Sequence, residues 1–111
     1  MLQELRQISF HDSGLLRLDV DFLSKRIALT IEGDANSTVT IVFEGVLNLS
    51  CEALSAFSHF ETLEIYDANF READGAFEAK FTFLLGFGQP SWGLAFSFAA
   101  WRTTLPAGAP T

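Results

Sequence analysis

Residues 77–85 read FEAKFTFLL, and this stretch has the clearest strand pattern in the chain. Apolar and polar residues alternate in it, so that one face carries Phe77, Ala79, Phe81, Phe83 and Leu85. A period of two is typical of a β-strand that turns one face toward a protein core. The stretch therefore predicts a central strand in which Phe81 and Phe83 are buried.

Three earlier stretches of the chain share this period. Residues 15–22 (LLRLDVDF) place apolar side chains on one face, namely Leu16, Leu18, Val20 and Phe22. Residues 27–33 (IALTIEG) and 38–45 (TVTIVFEG) alternate in the same way, with the polar segment GDANS between them. The pattern predicts three half-buried strands, of which the second and third form a hairpin.

Two segments depart from simple alternation. Behind Ser50, a residue type that caps helix N-termini, the apolar residues Ala53, Leu54, Phe57 and Phe60 recur at helical spacing. This predicts one short helix around residues 51–60. In residues 62–70 (TLEIYDANF) the apolar parity switches between Ile65 and Phe70, which a β-bulge would explain.

The span from Phe81 to Trp101 contains no charged residue and is long enough to cross a bilayer as a helix. Its centre, GFGQPSWG, would break such a helix, whereas its flanks alternate, so a hairpin is predicted. In the second flank, GLAFSFAAW, neither face of the strand carries a charge. Either the chain itself covers both faces or a second copy covers one of them through Trp101, in a homodimer.

These elements predict an all-β fold, an antiparallel β-sandwich or flattened barrel of about seven strands with one short helix. Residues 1–104 would form a single β-rich domain. The segment after it, residues 105–111, contains two prolines and little to bury, so we expect a flexible C-terminal tail.

The composition disfavours some classes of partner and some cellular compartments. The 7 Lys and Arg against 14 Asp and Glu give a formal net charge of −7, which disfavours nucleic acid as a partner. The single cysteine, Cys51, excludes an intrachain disulfide and favours a reducing compartment. Because MLQELRQISF, residues 1–10, lacks the apolar run of a signal peptide, we expect a cytoplasmic protein that does not use a membrane as a partner.

Few residues are of the types that form catalytic or metal-binding sites. In FHDSG, residues 10–14, His11 and Asp12 are of the types found in hydrolase triads, but adjacent side chains do not easily form a line from nucleophile to base. The alternative is a turn at the edge of the sheet. Asp19 and Asp21, on one outward strand face, would begin a calcium site if Glu32 or another loop carboxylate converged on them, and otherwise form a solvated polar face.

No cofactor is implied by the sequence. Metal-type Cys and His spacing and a glycine-rich phosphate loop are both absent. On a shared helix, Cys51 and His59 would lie about 12 Å apart and could not pair as nucleophile and base. The abundant phenylalanines fill a solid core by default, although a ligand cavity between the strands is the alternative.

The segments FHDSGLLRLDVDF (10–22) and VTIVFEGVLNL (39–49) resemble small bacterial all-β proteins of the immunity type, which neutralise a toxin. The resemblance implies an acidic cytoplasmic inhibitor that binds a basic toxin. The leading hypothesis is thus a non-enzymatic acidic interaction module that contacts its partner through His11, Asp12, Asp19, Asp21 and Trp101. Two hypotheses from other classes are a small-ligand binding barrel with a Phe-lined cavity and a hydrolase-type site at His11 and Asp12.

Overall fold

A computed structural model describes residues 2–8, 10, 13–32, 37–51, 64–84 and 92–104. These residues form one helix and eight strands: α1 (Leu2–Arg6), β1 (Leu15–Asp21), β2 (Arg26–Glu32), β3 (Thr38–Glu44), β4 (Leu47–Cys51), β5 (Glu64–Ala73), β6 (Ala76–Leu84), β7 (Trp92–Phe98) and β8 (Ala100–Thr104). Cys51 is the last residue of β4, and the rest of the helix predicted around residues 51–60 lies outside the described residues. So does the predicted tail, 105–111.

The strands form two four-stranded antiparallel sheets, with the orders β1-β2-β3-β8 and β4-β7-β6-β5. The predicted β-sandwich is thereby confirmed. The predicted hairpins are also present, because β2 pairs with β3 and β6 pairs with β7, Phe81 opposite Leu94. No helix among the described residues is long and apolar enough to cross a membrane.

A shared corner joins the two sheets. One extended segment runs from β3 into β4 and another from β7 into β8, and the two segments pair in both sheets. Glu44 lies opposite Ala100 in the first sheet and Leu47 opposite Ser97 in the second, so the register is unbroken across the corner. At the bend, the Ala99 amide donates to the Glu44 carbonyl oxygen at 2.9 Å.

Aromatic side chains fill the space between the sheets. Phe43 of β3 packs edge-on against two rings of β7, with centroid distances of 5.0 Å to Phe96 and 4.9 Å to Phe98. Phe81 and Phe83 of the central strand β6 are fully buried, as predicted. Edge-to-face ring pairs of this kind are favourable beyond the area that they bury.

The helix α1 was not predicted from sequence. Its Leu5 is fully buried in the core, and the Arg6 guanidinium donates a hydrogen bond to the Phe70 carbonyl oxygen at 2.6 Å. Phe10 follows the helix and packs against the ring of Phe70 at 5.5 Å. The N-terminal segment therefore closes the core beside β5.

One detail predicted for the strands is confirmed and two others differ in the structure. The bulge predicted in residues 62–70 is present, since the register of β5 shifts between Ile65 and Asp67. In β1, however, a shift beside Leu16 leaves that side chain 53% exposed, although alternation predicted it to be buried. Residues 94–101 are not one strand, because the chain passes from one sheet to the other at Ala99.

Candidate functional site

The residues predicted to bind a partner are not gathered into one site. His11 and Asp12 lie outside the described residues, as does His59. Asp19 and Asp21 lie on β1, whereas Trp101 lies on β8, three strands away in the same sheet and so about 14 Å distant. Trp101 is half-buried and packs against the hydrophobic core.

Asp19 and Asp21 are exposed, as predicted, but both are engaged within the chain. The Asp19 carboxylate pairs with the Arg17 guanidinium at 2.7 Å. One Asp21 carboxylate oxygen accepts hydrogen bonds from the backbone amides of Leu23 at 3.1 Å and Ser24 at 3.2 Å. These bonds make Asp21 the residue that orders the β1–β2 turn.

The calcium site that would have used Glu32 is not formed. The register pairs Asp21 with Arg26 at one end of the β1–β2 ladder, and Glu32 is at the other end of β2. Within the part of the chain that the structure describes, no group of three or more His, Cys, Asp or Glu side chains could hold a metal ion. Cys51 is half-buried and packs against the core.

The hydrogen bonds to Asp21 lead to a prediction about pH. A hydrogen bond from the Ser24 side chain, and next the one from the Ser24 backbone amide, lower the pKa of Asp21 below its ordinary value of 3.8. A carboxyl whose pKa is depressed by folding stabilises the turn fully above that ordinary value, and this contribution is lost as the pH falls below it. An NMR titration should therefore show the Ser24 amide signal shifting with a midpoint below 3.8.

Substitution of Asp21 tests the same hydrogen bonds by a second measurement, amide hydrogen exchange. Asp21→Ala is expected to speed hydrogen exchange of the Leu23 and Ser24 amides several-fold, because their acceptor is removed. Asp21→Asn keeps a side-chain oxygen and should preserve most of the protection. Unchanged exchange in Asp21→Ala would show that the carboxylate does not hold the turn.

The ordered turn exposes two large apolar side chains. Phe22 is 79% exposed and Leu23 is 97% exposed, although the alternation of β1 placed Phe22 on the buried face. Phe22 is exposed because β1 ends at Asp21 and the chain turns there. The other side of the turn is fixed as well, since the Lys25 carbonyl oxygen accepts a hydrogen bond from the Val46 amide at 2.9 Å.

A depression of about 250 Å³ lies between this turn and β4. Its apolar lining comes from Val20, Phe22, Ile27, Val46, Leu47 and Leu49. Leu47 is itself 53% exposed, and the cations Lys25 and Arg26 lie on the rim. Three of the five large apolar residues that are exposed in the described part of the chain, Phe22, Leu23 and Leu47, lie in the turn and the depression. We call the turn and the depression together the β1–β2 tip.

A second, larger depression of about 630 Å³ lies on the outer face of β6 and β7. Its floor includes Ala95 and Ser97, whose hydroxyl donates to the Leu47 carbonyl oxygen at 3.1 Å. The face of β7 that carries Ala95 and Ser97 is one of its two uncharged faces. The other face, with Leu94, Phe96 and Phe98, is covered by the chain's own core.

Arg71 and Lys80 on the rim of this depression bring positive charge to it, but the Arg71 guanidinium is paired with the Glu78 carboxylate. The same hydrogen bond raises the pKa of Arg71.

Comparison with known proteins adds no relative. No family model matches the chain, and no curated protein matches it.

Proposed function

We propose that the protein is a non-enzymatic acidic interaction module that binds a basic protein, in the manner of an immunity-type protein and its toxin. The observation that carries this proposal is the distribution of charge. Of the seven basic residues, Arg17, Arg71 and Arg102 are each paired with a carboxylate. Acidic residues outnumber basic ones by seven, and this excess of carboxylates would attract a basic partner over a long range.

The β5–β6 hairpin carries two of these carboxylates. Glu72 and Asp74 are exposed at its end and form no ion pair among the described residues. Asp74 and Gly75 both have positive φ, 52° and 79°, which is the geometry of a tight two-residue hairpin turn. A rigid turn holds the two charges in place without an ordering cost on binding.

The alternatives have less support. The described rings of Phe43, Phe81 and Phe96 are in mutual contact, which leaves little space for a ligand between the sheets. Each ion pair among the described residues joins one arginine to one carboxylate, whereas a hydrolase needs a nucleophile, a base and an orienting group in one line.

The proposal is tested with the product of the gene next to the one that encodes this chain. We expect that product to be basic, to arrest growth when expressed alone, and to be neutralised when this chain is co-expressed. The purified pair should associate more slowly as salt rises, since screening shortens the reach of the carboxylates. A harmless neighbour, or a toxic one that this chain neither binds nor neutralises, would contradict the proposal.

Charge-neutralising variants locate the contact. Glu72→Gln with Asp74→Asn is expected to slow association about tenfold at low salt, and Asn tolerates the positive φ of position 74. Glu32→Gln with Asp67→Asn removes the same two charges elsewhere and is the matched control. An equal effect of both variants would assign the attraction to net charge alone and not to the hairpin.

A further inference from the structure

The β1–β2 tip combines features that a solvated turn does not need. Phe22 and Leu23 protrude almost fully into solvent. The hydrogen bonds to the Asp21 carboxylate and from Val46 hold the turn that carries them. Apolar side chains displayed on a preorganised turn are typical anchors of a protein contact, because little conformational entropy is lost when they are buried.

The tip also contains an apolar depression into which such a side chain would fit. The depression beside it, about 250 Å³, is lined by Val20, Ile27, Val46 and Leu47 and has room for one aromatic side chain. A protrusion and an apolar hollow therefore adjoin each other on one surface. That arrangement is self-complementary, since a two-fold axis through the tip would place each protrusion near the hollow of the other copy.

The charges around the tip favour one kind of binding partner over the others. Asp19 and Asp21 lie on β1, where Asp19 is paired with Arg17. Lys25 lies in the turn and Arg26 lies at the start of β2, opposite Asp21. A surface of one sign, such as an anionic membrane or a basic protein, meets a like-charged pair on one side of the tip. A copy of the same surface, rotated by a two-fold axis, brings the β1 carboxylates of each chain toward Lys25 and Arg26 of the other.

We propose that the β1–β2 tip is a self-association surface whose occupant is a second copy of this chain, related by two-fold symmetry. The dimer is independent of the toxin-binding proposal, which uses the β5–β6 hairpin at the other edge of the sheet that contains β4. It also differs from the dimer through Trp101 that the sequence suggested, because Trp101 lies on β8 and not at the tip.

Sedimentation velocity over a concentration series tests the dimer. Because each chain carries a net charge of −7, the measurement belongs at physiological ionic strength, where a Debye length of about 8 Å screens the mutual repulsion. The wild type is expected to dimerise, and Phe22→Ser with Leu23→Ser should weaken the dimer about a hundredfold. Leu16→Ser, which changes an exposed leucine at the far end of β1, is the control and should leave it unchanged.

Charge complementation tests the two-fold geometry. Arg26→Glu and Asp19→Lys should each weaken self-association about tenfold, because each places like charges across the axis twice. Mixed together, the two variants restore opposite charges at both contacts, so their heterodimer should be tighter than either homodimer. Melting curves check that each variant is folded.

Three outcomes would overturn the proposal. The first is a wild type that stays monomeric throughout the concentration series. The second is a dimer that Leu16→Ser disrupts as much as the tip variants do, or one whose charge variants show no complementation. The third is co-sedimentation of monomeric wild type with vesicles of phosphatidylserine and phosphatidylcholine that is lost in Phe22→Ser with Leu23→Ser, which would assign the tip to a lipid surface.

Discussion

Phe81→Ala is expected to lower the free energy of unfolding by about 3–5 kcal/mol, which corresponds to a fall in melting temperature of roughly 10 °C or more. Phe81 is fully buried on β6 and contacts rings from three other segments, with centroid distances of 5.6 Å to Phe10, 5.6 Å to Phe70 and 6.2 Å to Phe43. Strands on both sides of β6 prevent the cavity from collapsing easily.

The matched control removes the same ring from the surface. Phe22→Ala deletes a side chain that is 79% exposed, so at low protein concentration it should change the free energy of unfolding by less than about 0.5 kcal/mol. Denaturant unfolding measures the free energy of unfolding of both variants. If Phe81→Ala unfolded at the same denaturant concentration as Phe22→Ala, the aromatic cluster would not be the main source of stability.

Gly45→Ala is expected to cost about 2–4 kcal/mol, from two separate causes. Gly45 has a φ of +67°, a conformation that L residues adopt at a cost. A methyl group at this position would also lie 2.9 Å from the Cβ atom of Ala99, closer than two methyl groups approach in folded proteins. Substitution should thus strain the corner where both extended segments pass between the sheets.

Two further variants separate these causes. Gly75 has a φ of +79° with nothing within 4 Å of an added Cβ, so Gly75→Ala should cost only the conformational part, about 1–2 kcal/mol. In an Ala99→Gly background, Gly45→Ala should cost about the same 1–2 kcal/mol, because the opposing methyl group is gone. Equal costs for Gly45→Ala in both backgrounds would refute the proposed contact between the two residues.

The parts of the fold that could be predicted from sequence are those in which one strand face is buried along its whole length. Ile27, Leu29 and Ile31 of β2 alternate and are all at most 1% exposed. The bulge in β5 was also visible, because Phe70 must reach the core and a parity switch is the local trace of an extra residue. In these segments the local pattern and the tertiary packing give the same answer.

Other features depend on partners that a local pattern does not contain. Phe22 continues the alternation of β1, yet the Asp21 carboxylate ends the strand one residue earlier. The signal for a turn in this sequence is Asp21 together with the polar segment SKR, residues 24–26, which begins three residues later. Nothing near Ala99 in sequence marks a bend, because the bend is set by the approach of Gly45 from a distant segment.

The candidate surfaces were predictable only in part. Exposure of Asp19 and Asp21 followed from alternation, but the pairing of Asp19 with Arg17 and the role of Asp21 in the turn are consequences of geometry. The β1–β2 tip was missed because its hollow is built from β1, β2 and β4, which meet only in the folded chain.

The corner also determines how the chain can unfold. Each half of the sequence contributes a strand to the sheet of the other half, since β8 completes the sheet of β1–β3 and β4 completes the sheet of β5–β7. Neither sheet can be finished by its own half of the chain, so the two halves have no separate stability. We expect a single all-or-none transition and slow folding, because the final step must bring together segments 38–51 and 92–104, which are far apart in sequence.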